Sequence, residues 1–366
     1  MTRIDRAADA REKLARVRAW LGESGKQGAL FTSQASLSWL SGGRWYVNQA
    51  TEGAVASLLV TMDAVHLLAN RIESQRLLNE EINPALGAAP VVFEWFESDG
   101  AAQSLAKLLP ADALLREAER PDEAAALRDP LTAADQERLR AVGRDAAEAL
   151  EATCRGIARG QTEWRIAAEL AKACLEREME PIVNLAAVDG RASECRHPLP
   201  TSRVLDRYAM VVVCARRHGL IASATRLVHF GAVPGELLRR HRASAAIDAA
   251  FIASTRPGAR VADIFRTARA EYAAQGFADE WRLHHQGGRT GYASRDYLAR
   301  PDSREAVRSG QAYAWNPSAA GAKSEDTVLV GEAGNDIITR TGEFPELSVE
   351  WGGQTVLRPD ILVRGG

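Results

Sequence analysis

The chain has 366 residues, enough for two domains at roughly 150 residues each, and its 46% apolar and 26% charged content excludes the disordered and fibrous classes. With 46 basic against 48 acidic residues, the formal net charge of −2 gives no general attraction to nucleic acid or to a membrane surface, so the expected partner is a small-molecule substrate. The longest apolar runs, 54–60 and 209–215, fall far short of the ~20 residues a bilayer span needs, and residues 1–11 lack a signal peptide's apolar core, so a cytoplasmic location is expected.

In chain order, residues 11–21 form a charged amphipathic stretch, 29–32, 54–61 and 64–69 are strand-like, and 72–81 is helix-like, which together predict an α/β domain. Residues 120–130 are polar and flanked by proline. Thr132 follows, with Asp135 three positions on in the spacing of a helix-capping box, and the domain boundary is placed there, giving domains 1–129 and 130–366.

Leu139, Val142, Ala146, Leu150, Cys154 and Ile157 then recur every three or four residues, which predicts one long helix; Ile166, Leu170 and Cys174 mark a second. Strands follow over 182–188, 209–215 and 219–226, the last two joined by a tight Arg217-His218-Gly219 turn. The same order returns in helices over 241–255 and 261–275, with Gly276 as the stop, and in strands near 282–286, 311–315 and 325–330. The second domain therefore reads as α+β with duplicated helix-helix-strand halves, whose concave sheet face is the place to look for function. The four cysteines, Cys154, Cys174, Cys195 and Cys214, contain no Cys-x-x-Cys pair and indicate neither a disulfide framework nor a zinc finger.

Five segments carry a resemblance: Arg196-His197-Pro198-Leu199-Pro200, the strand pair over 209–226, His284-His285-Gln286-Gly287-Gly288, Ala314-Trp315-Asn316-Pro317 and Lys323-Ser324-Glu325-Asp326-Thr327. In this order the chain resembles the superfamily of methionine aminopeptidases, Xaa-Pro aminopeptidases, prolidases and creatinase. The resemblance implies a creatinase-like N-terminal domain and a C-terminal domain of the fold called pita-bread.

In the peptidase members a pair of metal ions is held by two aspartates eleven residues apart, one histidine and two glutamates. The register of the resemblance puts these positions at Val212, Ser223, His285, Asn316 and Glu325, so two of five ligands survive. Valine binds no metal, and serine or asparagine offers only a weak neutral oxygen. The expectation is no metal and no other cofactor, with a lone cation on His285, Glu325 and Asn316 as the alternative.

Creatinase, which resembles the peptidases in fold but cleaves a C–N bond without metal, is the more informative relative, and an ectoine-hydrolase type is equally compatible. His197 matches the histidine that serves creatinase as proton shuttle, a role that imidazole fits because it titrates near neutrality. Glu325 is expected to orient substrate nitrogen or share the proton work, with His285 as a third catalytic candidate. Ser223, Arg289, Tyr292 and Asn316 are candidate substrate-binding residues. The loop Gly42-Gly43-Arg44-Trp45-Tyr46 resembles one that creatinase's neighbouring subunit lays over the site, which implies a homodimer and a carboxylate clamp by Arg44 in trans.

Simpler readings stand beside these. Read as strand residues, His284 and His285 point to opposite faces, so at most one of them faces the cleft. Cys195 or Ser223 beside His197 would give a nucleophilic pair, although a free cysteine is more often a small core residue. Gly287-Gly288 marks a bulge or a close backbone approach. The leading expectation is a metal-independent hydrolase of a C–N bond in a small polar substrate. The alternatives are a Xaa-Pro dipeptidase or aminopeptidase with an atypical metal site, and a non-catalytic binding member of the superfamily.

Overall fold

A computed structural model describes residues 5–51 and 53–365. They divide into two compact units that part between Asp135 and Gln136.

The first unit contains α1 (Arg6–Ser24), β1 (Gly28–Ser33), α2 (Gln34–Ser41), β2 (Gly53–Thr61), β3 (Val65–Asn70), α3 (Arg71–Arg76), β4 (Ala89–Phe93), α4 (Gly100–Leu108), β5 (Leu114–Arg116) and α5 (Pro121–Leu127). Its sheet has the order β4-β3-β2-β1-β5, and Leu30, Leu59, Leu68, Leu105 and Leu114 form a cluster in its core. α1 starts where Asp5 accepts from the Ala7 and Ala8 backbone N–H groups and stops at Gly25 in the left-handed region, the usual pair of helix-end devices. The Thr132 and Asp135 spacing is a real cap: the Asp135 N–H donates to Thr132 Oγ1 at 3.1 Å. Asp135 also holds the buried Lys13 ammonium at 2.8 Å.

The second unit runs through α6 (Ala133–Gly156, whose first turn lies before the division), α7 (Glu163–Leu175), β6 (Glu180–Val188), α8 (Arg191–Glu194), β7 (Tyr208–Arg217), β8 (Leu220–Phe230), α9 (Gly235–Ser254) and α10 (Val261–Ala274). The strands β9 (Gly287–Thr290), β10 (Tyr297–Leu298), β11 (Ala312–Trp315), β12 (Ser318–Ala319), β13 (Ala322–Lys323), β14 (Asp326–Val330), β15 (Asn335–Ile337), β16 (Glu346–Trp351), β17 (Gln354–Pro359) and β18 (Ile361–Arg364) follow. The two expected halves are present: α6, α7 and β6–β8, then α9, α10 and β9, β11, β14. One sheet has the order β18-β8-β7-β6 and the other β10-β9-β11-β14-β15. They join at a seam, where the Thr225 N–H donates to Glu325 O at 3.0 Å and the Ile221 N–H to Gly291 O at 2.9 Å. β7 turns into β8 through His218 (φ 50) and Gly219 (φ 85), the positive dihedrals a two-residue hairpin needs. Among the described residues, no helix is long and apolar enough to cross a membrane.

One expected strand is displaced. Residues 282–286 are not extended: Glu280–Arg282 is a 3₁₀ turn and β9 begins only at Gly287. The reason lies in how closely β9 enters the sheet. A Cβ on Gly287 would stand 2.0 Å from Ala314 O, and its φ of 98 suits no other residue well, so extended pairing starts only where the side chain vanishes and the histidines stay in the entry loop. Gly287→Ala is expected to lower unfolding stability by at least ~2 kcal/mol through this clash, measured by urea denaturation.

Candidate functional site

Three segments of the second unit converge. His197 lies in the loop after α8. That loop is fixed by Arg191, which donates to Leu199 O at 2.7 Å and ion-pairs with buried Glu163 at 2.7 Å, and by Arg196, which ion-pairs with Glu280 and donates to Ser318 Oγ at 3.1 Å. His284 and His285 come from the loop before β9, where Gln286 Nε2 donates to His284 O at 2.6 Å while Gln286 Oε1 accepts from the Tyr272 hydroxyl at 2.8 Å. Lys323 ends β13 and Glu325 immediately precedes β14.

The histidines form one cluster. His197 Nε2 lies 3.1 Å from His284 Nε2, and one nitrogen from each of the three rings lies within 4.8 Å of the other two. The expectation that only one of His284 and His285 reaches the cleft fails, because alternation holds only in a strand and these residues lie in a loop; their ring centroids are 4.6 Å apart, and 4.9 and 5.7 Å from that of His197. All three rings line a cavity of about 460 Å³, whose other walls include Phe265, Trp281 and Leu298. His197 is exposed and His284 buried. A larger recess of about 830 Å³, beside the β14–β15 turn, contains none of the candidate residues.

Within electrostatic reach of the rings, though not among the residues that line the cavity, is a buried ionic centre. The Glu325 carboxylate, 2% exposed, receives Lys323 Nζ at 2.7 Å, the Thr225 hydroxyl at 2.7 Å and Arg295 Nη2 at 3.4 Å. Burial alone would raise its pKa, but the Lys323 and Arg295 charges and the hydrogen bonds from Lys323 and Thr225 hold it below the usual carboxylate range. Burial pushes His284 down to about 2 and His285 down to about 4, with Lys323 lowering both and Arg295 also lowering His285. His197 is lowered too, by burial and by Lys323, against the opposing pull of Glu325.

The other candidates sit differently. Ser223 is wholly buried and its hydroxyl donates to Cys214 Sγ at 3.1 Å, while its backbone N–H donates to Thr327 Oγ1; β14 covers this part of β8, so Ser223 does not face open space. Asn316 is also buried, its N–H donating to Gln286 O at 3.2 Å. Arg289 lies over the Tyr297 ring at 5.0 Å and Tyr292 is buried, and neither lines the histidine cavity. In the first unit, Arg44 ion-pairs with Glu81 at 2.8 Å with half its side chain exposed. Sequence reasoning gave no role to His284 or Lys323. The signal for Lys323 was its place two residues before Glu325, a spacing that in extended chain puts both side chains on one face.

Residues 137–332 match the model of metallopeptidase family M24, and residues 13–186 that of the creatinase/prolidase N-terminal domain. No curated protein matches the chain by sequence. Among solved structures the chain is similar to the X-Pro aminopeptidase from Thermotoga maritima MSB8, with TM-score 0.77, 17% identity, and 96% of this chain and 99% of that one covered. It is also similar to the dipeptidase PepE from Mycobacterium ulcerans, with TM-score 0.76, 20% identity and 100% of both chains covered. The N-terminal domain of the FACT complex subunit SPT16 from chickpea, Cicer arietinum, matches with TM-score 0.68 and 12% identity over 92% of this chain and 97% of that one. At such identities the likeness is one of fold, and the architecture is a creatinase-like N-terminal domain followed by a pita-bread domain.

The depressed imidazoles make a pH prediction. An unfolded histidine titrates near ~6.5, so below that pH the unfolded chain binds more protons than the folded one and stability falls as pH falls, down through about 4 for His285 and about 2 for His284. Melting temperature measured between pH 7 and 4 should drop in the unmodified protein, and drop less steeply in His284→Gln.

Proposed function

The chain belongs to metallopeptidase family M24, and on that premise we propose that it is a metal-independent hydrolase of a C–N bond in a small polar substrate, with His197 as the acid/base. The observation that carries this reading is the closed state of Glu325. The carboxylate that the register assigns to a divalent cation is already neutralised by Lys323 at 2.7 Å and Arg295 at 3.4 Å. A divalent ion there would meet two fixed positive charges, with Val212, Ser223 and Asn316 in place of the missing carboxylates. The residues present do not fit the family's pair of metal ions.

In the proposed reaction His197, neutral because its pKa is lowered, takes a proton from water as the water oxygen bonds to the carbon of the scissile bond. The C–N electron pair leaves with nitrogen, and His197 returns the proton to it. His284 Nε2, 3.1 Å away, holds the His197 ring in place. Glu325, kept anionic and buried, positions Lys323 rather than exchanging protons. The reading includes a homodimer in which Arg44 of one copy reaches the cleft of the other.

A second reading has one specific observation in its favour. Three imidazoles kept neutral, with nitrogens within 4.8 Å of one another, are donors suited to a single borderline cation, which would restore an atypical peptidase.

Elemental analysis of the purified protein, paired with assays on amidino, lactam-like and Xaa-Pro substrates with and without chelator, separates the two. The expected result is metal far below one ion per chain, chelator-resistant turnover, and a loss of at least ~100-fold in His197→Ala with unchanged circular dichroism. The acid limb of kcat/KM should lie below pH ~6.5, because a base of lowered pKa stays unprotonated further into acid. Near-stoichiometric metal with chelator-sensitive cleavage of Xaa-Pro substrates would overturn the proposal in favour of the peptidase. Binding without turnover of any of these would favour a non-catalytic member.

A further inference from the structure

The ionic centre beside the histidines has more donors than its one carboxylate can use. Lys323 and Arg295 both turn to Glu325, and their side chains are 5% and 10% exposed. An ammonium carries three N–H donors. Among the described residues, Glu325 is the only ion-pair partner of Lys323. Arg295 Nη1 donates to Ser294 O, and Arg295 Nε is buried with no hydrogen-bond partner among the described residues.

Other acids nearby do not answer this surplus. Asp326, the residue after Glu325, belongs to a separate buried set, paired with Arg226 at 3.1 Å and with Arg358, which also holds Asp248 at 2.7 Å. On the Glu325 side two buried cations therefore face one carboxylate, next to rings that add no negative charge. Buried charge is costly unless matched, and unused charged donors are costlier than neutral ones. Two other polar atoms of this region, His284 Nδ1 and Asn316 Oδ1, are likewise buried and have no hydrogen-bond partner among the described residues.

We propose that Lys323 and Arg295 form an anion-binding subsite that accepts a singly charged oxyanion beside His197, occupying with fixed side-chain cations the place where relatives hold metal. Preorganised charged donors in a water-poor site favour such a group far more than they would in water. The inference rests on the hydrolase reading for its chemical use. The oxyanion is either the carboxylate of a bound substrate or the oxygen that becomes negative as water adds to the scissile carbon, and the shape of the preferred anion tells the two apart.

The test is calorimetric titration of the full chain with sodium acetate, a planar anion, and with methylphosphonate, a tetrahedral one, against sodium chloride at matched ionic strength. Saturable binding beyond the chloride control is expected, weakened at least ~10-fold in Arg295→Met and retained in His197→Ala. Lys323→Met leaves Glu325 without its closest cation and is prone to misfold. Arg295→Lys keeps the charge beside Glu325, should stay folded, and should retain most of the affinity that Arg295→Met loses. Preference for acetate assigns the subsite to a substrate carboxylate, and preference for methylphosphonate assigns it to the developing oxyanion. No saturable binding, or binding by Arg295→Met as tight as that of the unmodified protein, overturns the inference. Binding that survives alongside chelator-sensitive turnover would instead overturn only the metal-independent reading.

Discussion

The Glu325 carboxylate is buried where an unpaired charge could not persist, and its partners come from both halves of the second unit. Thr225 reaches it from β8, Arg295 from the β9–β10 loop and Lys323 from β13. The Glu325 backbone oxygen accepts the Thr225 N–H at 3.0 Å, so the same residue fastens the two sheets together and supplies the charge around which the site is arranged. Truncating one member of such a centre costs far more than the centre contributes as a whole, because what remains is an uncompensated buried ion. Stability and chemistry are therefore coupled here.

Alternation along 323–327 divides these charges between two faces. Lys323 and Glu325 share one face, and Thr327 continues it against Ser223. Ser324 and Asp326 take the other: Ser324 Oγ donates to Asp248 at 2.6 Å, and Asp326 accepts from Arg226 and from the Thr339 hydroxyl. Burial pushes Asp248 up to about 7, the nearby Arg358 pulling the other way. The second set, with Glu151 on Arg226, braces the back of the seam and lines none of the histidine cavity. The site thus rests on a rigid strand whose other side is itself tied down, which is how side chains are held accurately enough for chemistry.

Much of this was legible in the chain. The helix pairs and the β7–β8 hairpin follow from apolar periods and from the His218-Gly219 turn, because local geometry alone sets them. What sequence could not give was set by contacts distant in the chain. α2, with its many small polar residues, carries no period strong enough to read, whereas β16 alternates polar and apolar residues from Glu346 to Trp351, a strand signal that the expected elements leave out. The displaced strand before β9 was misread because the clash that delays it comes from Ala314, far along the chain. His197, His285 and Glu325 do converge, whereas Ser223, placed by register on the same face, is sealed beneath β14.

The missed residues, Lys323 and His284, explain how a site lacking its family's carboxylates stays coherent. A carboxylate buried as deeply as Glu325 needs positive charge beside it, and a lysine two residues away supplies it without any ligand. Burial lowers all three histidines and that lysine lowers them further, so His197 holds a proton less readily than a free imidazole. In the proposed reaction a weaker base needs stabilising charge elsewhere, and the cations that weaken it are the groups proposed to provide it. The two effects have one source, so the proposed metal-independent reaction and the proposed histidine shuttle rest on a single electrostatic arrangement rather than on independent features.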